Sequence, residues 1–225
     1  MSKSKSRRQQ VKAQSALQKN WVAYSAVAVI VLVAGFIIYS VIQNNANSAA
    51  GGTSGVKSWT TAPAMSIDVN KQYTAHINTV KGNVDVQLLP KAAPIAVNSF
   101  VFLARQHYFE GVTFHRVIPG FMAQGGDPTG TGTGGPGYTF DNEVSSGLTF
   151  DAAGVLAMAN TGRPNSNGSQ FFITYAAQPN LNGGYTIFGK VLTGMDVVQA
   201  LTPRDPQQNP TTPGDKINTV TIDEK

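Results

Sequence analysis

The chain has 225 residues, 41% of them hydrophobic, with a formal net charge of +5 and no cysteine. That length exceeds one average domain without demanding two, and the missing thiols exclude a disulfide framework, a cysteine nucleophile and a thiolate metal site. The charge is local: Lys3, Lys5, Arg7, Arg8, Lys12 and Lys19 give +6 before residue 21, and the remaining 11 basic and 12 acidic residues give −1, so no basic face for nucleic acid is expected on the folded part.

Residues 1–20 read as a basic cytoplasmic tail. Trp21 to Ile42 is a run of 22 residues without a charge, and as a helix it would rise about 33 Å, enough to cross a hydrocarbon core. It is read as a single transmembrane helix. Trp21, Tyr24 and Tyr39 stand near its ends, where amphipathic rings prefer the interface, and the basic tail stays inside while the rest of the chain faces outward. A cleaved signal peptide is the rival, with small residues at Ala46, Ser48 and Ala50, but its apolar region runs only about 7–15 residues. Residues 43–66 are rich in Asn, Ala, Ser, Gly and Thr and read as a flexible linker. Residues 67–225 then have the size of one compact domain.

In that domain, Tyr73–Ile77 and Val84–Leu88 alternate apolar and polar residues around Lys81-Gly82-Asn83, which predicts a β-hairpin. His76 falls on the polar phase, with no second histidine or carboxylate at metal spacing. Pro94 to Arg105 has a proline at a helix start and apolar residues at helical spacing. From Phe114 a strand is expected in which Phe114, Arg116 and Ile118 share one face. Pro119-Gly120 turns the chain, and a second strand carries Phe121, Met122 and Gln124. Adjacent Phe121 and Met122 cannot both face one core from a regular strand, so a pocket is expected beside them. Gly130, Gly132 and Gly135 satisfy GxGxxG, but Pro136-Gly137 and the β-like Tyr138-Thr139-Phe140 exclude the helix that a dinucleotide site needs. Strands are predicted at Gly154–Asn160, Gln170–Thr174, Tyr185–Val191 and Ile217–Ile222, and a short helix at Met195–Leu201. Asn167-Gly168-Ser169 is a formal glycosylation sequon, read here as serving backbone shape.

Three blocks, FHRVIPGFMAQGGD (Phe114–Asp127), MANTGRPNSNGSQFFIT (Met158–Thr174) and IFGKV (Ile187–Val191), resemble in order and spacing the motifs of cyclophilins, the peptidyl-prolyl cis-trans isomerases that bind cyclosporin. The flanking strands extend the likeness from about Gln72 to the C-terminus. The resemblance implies an all-β-dominated fold: an eight-stranded antiparallel β-barrel capped by two α-helices, with the groove on the outer wall, here preceded by the transmembrane helix. It also implies rotation about X–Pro bonds, whose barrier is about 18–20 kcal/mol because nitrogen shares its lone pair with the carbonyl. No nucleophile, metal or cofactor is needed for that, only a fixed hydrogen-bond donor that strengthens as conjugation is lost.

Arg116, always charged and directional, is the candidate donor. By the resemblance, Phe121, Met122, Phe172 and Leu181 form the proline pocket, Gln124 orients Arg116 and contacts the substrate carbonyl, Asn160 pairs with the substrate backbone, and Ala159 and Gln170 line the groove. The chain departs from the family pattern at Asn180, where drug-sensitive members carry tryptophan, and at Tyr185, where they carry histidine. Tyr185 still supplies a ring and a hydroxyl to the substrate, whereas Asn180 replaces a large apolar wall, so only weak cyclosporin binding is expected. The expected protein is thus a monomeric, membrane-anchored bacterial isomerase that assists folding of extracytoplasmic proteins and takes proline-containing polypeptides as substrates. A non-catalytic chaperone or scaffold that holds proline segments in the same groove is the alternative.

Overall fold

The computed structural model describes residues 56–225, apart from Asn209. The basic tail and the apolar run Trp21–Ile42 lie outside the described residues, among which no helix is long and apolar enough to cross a membrane.

Strands β1 (Tyr73–Thr79) and β2 (Gly82–Leu88) pair antiparallel from Tyr73↔Leu88 to Thr79↔Gly82, and the alternation read in the sequence is the alternation of burial. Tyr73, Ala75, Ile77, Val84, Val86 and Leu88 point inward. Helix α1 (Pro94–Arg105) has the predicted bounds, with Pro94 in its first turn. Its N-terminus takes no cap from Ala93; instead Glu143 accepts hydrogen bonds from the Ile95 and Ala96 amides, both at 2.9 Å. A carboxylate there satisfies two orphan donors and complements the positive end of the helix.

The remaining strands are β3 (Thr113–Phe114), β4 (Arg116–Ile118), β5 (Met122–Gly125), β6 (Val155–Met158), β7 (Phe171–Thr174), β8 (Ile187–Thr193) and β9 (Asp215–Glu224), with a short helix α2 (Met195–Gln199) between the last two. They form one sheet in the order β3-β9-β1-β2-β8-β6-β7-β5-β4. Thr113 of the end strand β3 bridges Asp127, just past β5 near the other end, so the sheet curls into a nearly closed barrel. Phe100 of α1 fills the interior against Phe109, Phe188 and Phe171, with centroids 5.0, 5.4 and 5.7 Å away.

Two expectations are corrected. The described residues hold nine strands rather than eight, because the single strand expected from Phe114 is split at His115 into β3, which pairs with β9, and β4, which pairs with β5. The split also shifts the phase. Phe114 is buried in the barrel core, whereas Arg116 and Ile118 remain half-buried on the groove side, so Phe114 does not share their face. His115 itself is buried, and neither ring nitrogen has a hydrogen-bond partner. Burial pushes its pKa below the ordinary histidine value, keeping the ring neutral.

The stretch expected to be linker also differs in its second half. Ser66 donates to Asn98 Oδ1 through both its amide (2.8 Å) and its hydroxyl (3.1 Å), and Asn98 Nδ2 donates to the carbonyls of Pro63 and Ala64. Trp59 packs on Phe102 and Tyr108 at 5.1 and 5.9 Å between centroids. Residues 56–66 therefore form a strap on the domain. A buried asparagine that is fully bonded and a large aromatic hold it where composition alone suggested a loose chain.

On the outer face of β1, His76 Nδ1 donates to the Asp85 carboxylate at 2.8 Å, and its Nε2 lies 3.3 Å from Asp223. The Asp85 hydrogen bond raises the pKa of His76 against a smaller opposing effect of burial. A raised histidine adds stability that is complete below its unfolded pKa of about 6.5 and is lost as pH rises through the folded value. We expect the stability advantage over His76→Gln to be largest well below pH 6.5 and to shrink as pH rises above it. Because both side chains are more than a third exposed, the difference should stay under about 1 kcal/mol. Parallel melts of the two proteins on both sides of that pH check it, and identical pH profiles would remove His76 from the balance.

Candidate active site

The groove is built from one row of residues running across the strands. Arg116 stands opposite Gln124 in the β4–β5 ladder, Gln124 opposite Phe172 in β5–β7, Phe172 opposite Ala157 in β7–β6, and Ala157 opposite Ile187 in β6–β8. Cross-strand partners face the same side of a sheet. Met122, two residues before Gln124, points the same way, and Met122, Phe172, Ala157, Ile187, Val155 and Phe150 form an apolar cluster separate from the barrel core. Phe121, Leu181, Tyr185 and Ala159 pack at its margin, half-buried.

The expectation that Phe121 and Met122 need a pocket is met in an unexpected way. β5 begins at Met122, and Phe121 is the last residue of the turn, its amide donating to Ile118 O at 3.0 Å with Gly120 at φ +76°. Freed from strand alternation, both side chains reach the same cluster. The Arg116 guanidinium lies over the Phe121 ring, 5.8 Å from its centroid, an attraction of about 0.5–1 kcal/mol at a partly exposed site. Among the described residues no carboxylate lies within ion-pair distance of Arg116.

Gln124, opposite Arg116 in the ladder, hydrogen-bonds elsewhere. Its Nε2 donates to Gln170 Oε1 at 2.8 Å, and Gln170 Nε2 donates to Gly134 O at 2.9 Å. Asn160 also spends its side chain within the fold, donating to Gly184 O at 2.9 Å and Asn142 Oδ1 at 3.2 Å. Ala159 donates its amide to Gln170 O. Asn167 of the sequon is buried and donates to Asn142 Oδ1 at 3.0 Å, so its amide is not offered to a glycan.

The sequence reading did not place Val155, Ala157, Ile187 or Phe150 in the pocket, and of these Phe150 alone lies in no predicted element. It stacks on Phe172 at 5.9 Å with 12° between planes, while Tyr185 meets both rings edge-on at 5.5 and 6.5 Å. Its only signal was an aromatic in a loop without periodicity. Leu181 sits in a single 3-10 turn, Pro179–Leu181, whose middle residue Asn180 is exposed.

Beside the apolar pocket opens a cleft of about 660 Å³. One wall is the glycine-rich loop from Gly132 to Thr139, the other Ala159 to Gln170, with Gln124 between them. The loop is organised by Asp127, which is wholly buried and accepts from the amides of Thr129 (2.7 Å), Thr131 (3.1 Å), Gly132 (2.6 Å) and Gly134 (3.1 Å) and from the Thr129 hydroxyl (2.7 Å). A β-carbon at Gly134 would sit 2.1 Å from Asp127 Oδ1, so only glycine fits. Burial alone would raise the Asp127 pKa, and the donors from Thr129, Gly134 and Gly132 outweigh it, holding the carboxyl below its ordinary value. Among the described residues no group of three potential metal ligands is assembled.

Comparison with known proteins agrees with this architecture. The family model for cyclophilin type peptidyl-prolyl cis-trans isomerases matches residues 74–222. A peptidyl-prolyl cis-trans isomerase of Arabidopsis thaliana is 45% identical over 158 residues, which cover 66% of this chain and 94% of that protein. A Schizosaccharomyces pombe peptidyl-prolyl cis-trans isomerase is 48% identical over 128 residues, 56% of this chain and 82% of the relative. The crystal structure of a cyclophilin type isomerase from Cryptosporidium parvum superposes with a TM-score of 0.62 at 38% identity, covering 69% of this chain and 99% of that one. With the barrel, the row across its wall and these relatives in agreement, the chain belongs to the cyclophilin-type peptidyl-prolyl cis-trans isomerases.

Proposed function

We propose that this isomerase is a membrane-anchored bacterial enzyme that turns X–Pro bonds of proteins outside the cytoplasm, with Arg116 as its catalytic donor. The observation that carries the site assignment is the cross-strand row, which sets an arginine with no carboxylate partner among the described residues beside an apolar cluster. A proline ring would settle among Phe121, Met122, Phe172 and Leu181, with Tyr185 behind. As the preceding carbonyl swings out of conjugation, the lone pair localises on nitrogen and the guanidinium donates to it. The interaction exists only in the twisted state and therefore lowers the barrier rather than merely tightening binding. Gln124 and Gln170, already paired, offer polar contacts to the substrate backbone, Asn160 would pair with it through its main chain, and Ala159 lines the groove. Asn180 leaves little apolar surface for cyclosporin, which fits weak drug binding.

The uncharged run 21–42 and the six basic residues before it are the sequence features that support an outward placement of the folded domain. Protease added outside membrane-bearing cells should release a compact fragment that begins before Trp59, while the N-terminal tail stays protected. The released fragment should accelerate isomerisation of a short X–Pro peptide. Recovery of the whole chain in the soluble fraction would overturn the anchor. A fragment that binds the peptide without turnover would make the groove a holding site instead.

A further inference from the structure

The strap formed by residues 56–66 lies outside the stretch matched by the family, yet it reaches the wall of the peptide cleft. The Trp59 amide donates to Pro136 O at 2.8 Å. Gly137, at φ +89°, passes so close that a β-carbon there would lie 2.3 Å from Ser58 Oγ and 2.5 Å from Trp59 O. Pro136 is buried in turn against the opposite wall, where a β-carbon on Gly168 would meet its Cδ at 3.2 Å.

The loop needs such a tie. Five of its eight residues from Gly130 to Gly137 are glycine, each with a large conformational entropy to lose on ordering. Asp127 fixes the first part, because its hydrogen bonds run from Thr129 to Gly134. They stop there. From Gly135 to Gly137 the strap takes over, itself fixed by the four hydrogen bonds of Asn98 to Pro63, Ala64 and Ser66 and by the Trp59 ring on Phe102 and Tyr108. Gly134 O then holds Gln170, and Gln170 holds Gln124, directly opposite Arg116.

We propose that Trp59 is a positioning residue for the isomerase, acting through Pro136 and Gly137 to keep the glycine-rich wall in the shape that receives the substrate backbone beside Gln170. This rests on the assignment of the groove given above. A positioning role of this kind acts on substrate binding and leaves the bond rotation at Arg116 untouched, so it separates KM from kcat.

The test uses the full chain and a tetrapeptide with one internal Ala-Pro bond. Trp59→Ala should raise KM about fivefold or more with kcat within about twofold, and Trp59→Phe, which keeps a ring on Phe102 and Tyr108, should restore KM to within about twofold. An unchanged KM in Trp59→Ala, or a fall in kcat alone as expected from fewer folded molecules, overturns the proposal. A second measurement needs no change at Trp59. The chain has two tryptophans, Trp21 and Trp59, so Trp21→Phe leaves Trp59 as the sole indole emitter, and its emission should change saturably with peptide at a midpoint matching KM. A flat titration overturns the proposal even if Trp59→Ala fails to fold. Adding Arg116→Ala distinguishes the two levels: lost turnover with the Trp59 signal retained supports both. Retained turnover removes Arg116 from the chemistry and leaves the role of Trp59 to its own KM result.

Discussion

Arg116→Ala is expected to lower kcat/KM by about 10²-fold or more while the melting temperature barely moves. The factor corresponds to about 2.7 kcal/mol of transition-state stabilisation at 1.36 kcal/mol per decade. Stability should survive because the side chain is half-buried, contacts the Phe121 ring rather than the barrel core, and makes no ion pair among the described residues. Arg116→Lys should recover little, since an ammonium lacks the planar array of donors and stacks less well on a ring. A peptide isomerisation assay run beside a thermal melt decides the matter. Turnover near the wild-type level in a folded Arg116→Ala protein would take the arginine out of the mechanism.

The second large effect is on stability. Asp127→Ala removes the acceptor of four backbone amides and a hydroxyl at a fully buried position, and hydrogen bonds to a charged group are worth about 1.5–3 kcal/mol each without adding in full. A loss of about 3 kcal/mol or more is expected, which for a domain of this size lowers Tm by roughly 6–12 °C. The carboxyl also sets a pH dependence. Its pKa is depressed in the fold, so its contribution is present above the unfolded value near 3.9 and is lost as pH falls through the folded value. Wild type and Asp127→Ala should therefore converge in stability under strong acid and separate fully by about pH 5. Melts recorded at both extremes check this, and equal stabilities at pH 7 would mean that the loop carries its own shape.

The elements that were legible in the sequence are those whose pattern is periodic. Tyr73–Thr79 alternates and is a strand, while Pro94–Arg105 has a proline start and helical spacing and is a helix with those bounds. Arg116, Phe121, Met122, Gln124, Gln170 and Phe172 stood out for a different reason: they sit in long blocks that resemble a known family. What stayed hidden depends on neighbours distant in the chain. Nothing around His115 announces that the strand will break there, because the break arises from two different pairing partners, β9 and β5. The Gln124 amide nitrogen goes to Gln170, and a hydrogen bond between residues 46 positions apart leaves no local trace. Trp59 sits in a segment of linker-like composition, and only the face offered by Phe102 and Tyr108 gives it somewhere to go.

The row Arg116, Gln124, Phe172, Ala157, Ile187 crosses five strands drawn from some seventy positions of chain. Arg116 and Gln124 meet across a local hairpin, but Phe172, Ala157 and Ile187 join them only through longer-range pairing, the kind of contact whose loop-closure entropy is met late in folding. The β4–β5 hairpin brings Arg116, Phe121, Met122 and Gln124 together, but Phe172, Leu181 and Tyr185 come from elsewhere in the chain. The catalyst is thus a property of the finished ladder: its precision is inherited from the spacing of paired backbones rather than from loops, and activity and barrel integrity should rise and fall as one cooperative unit.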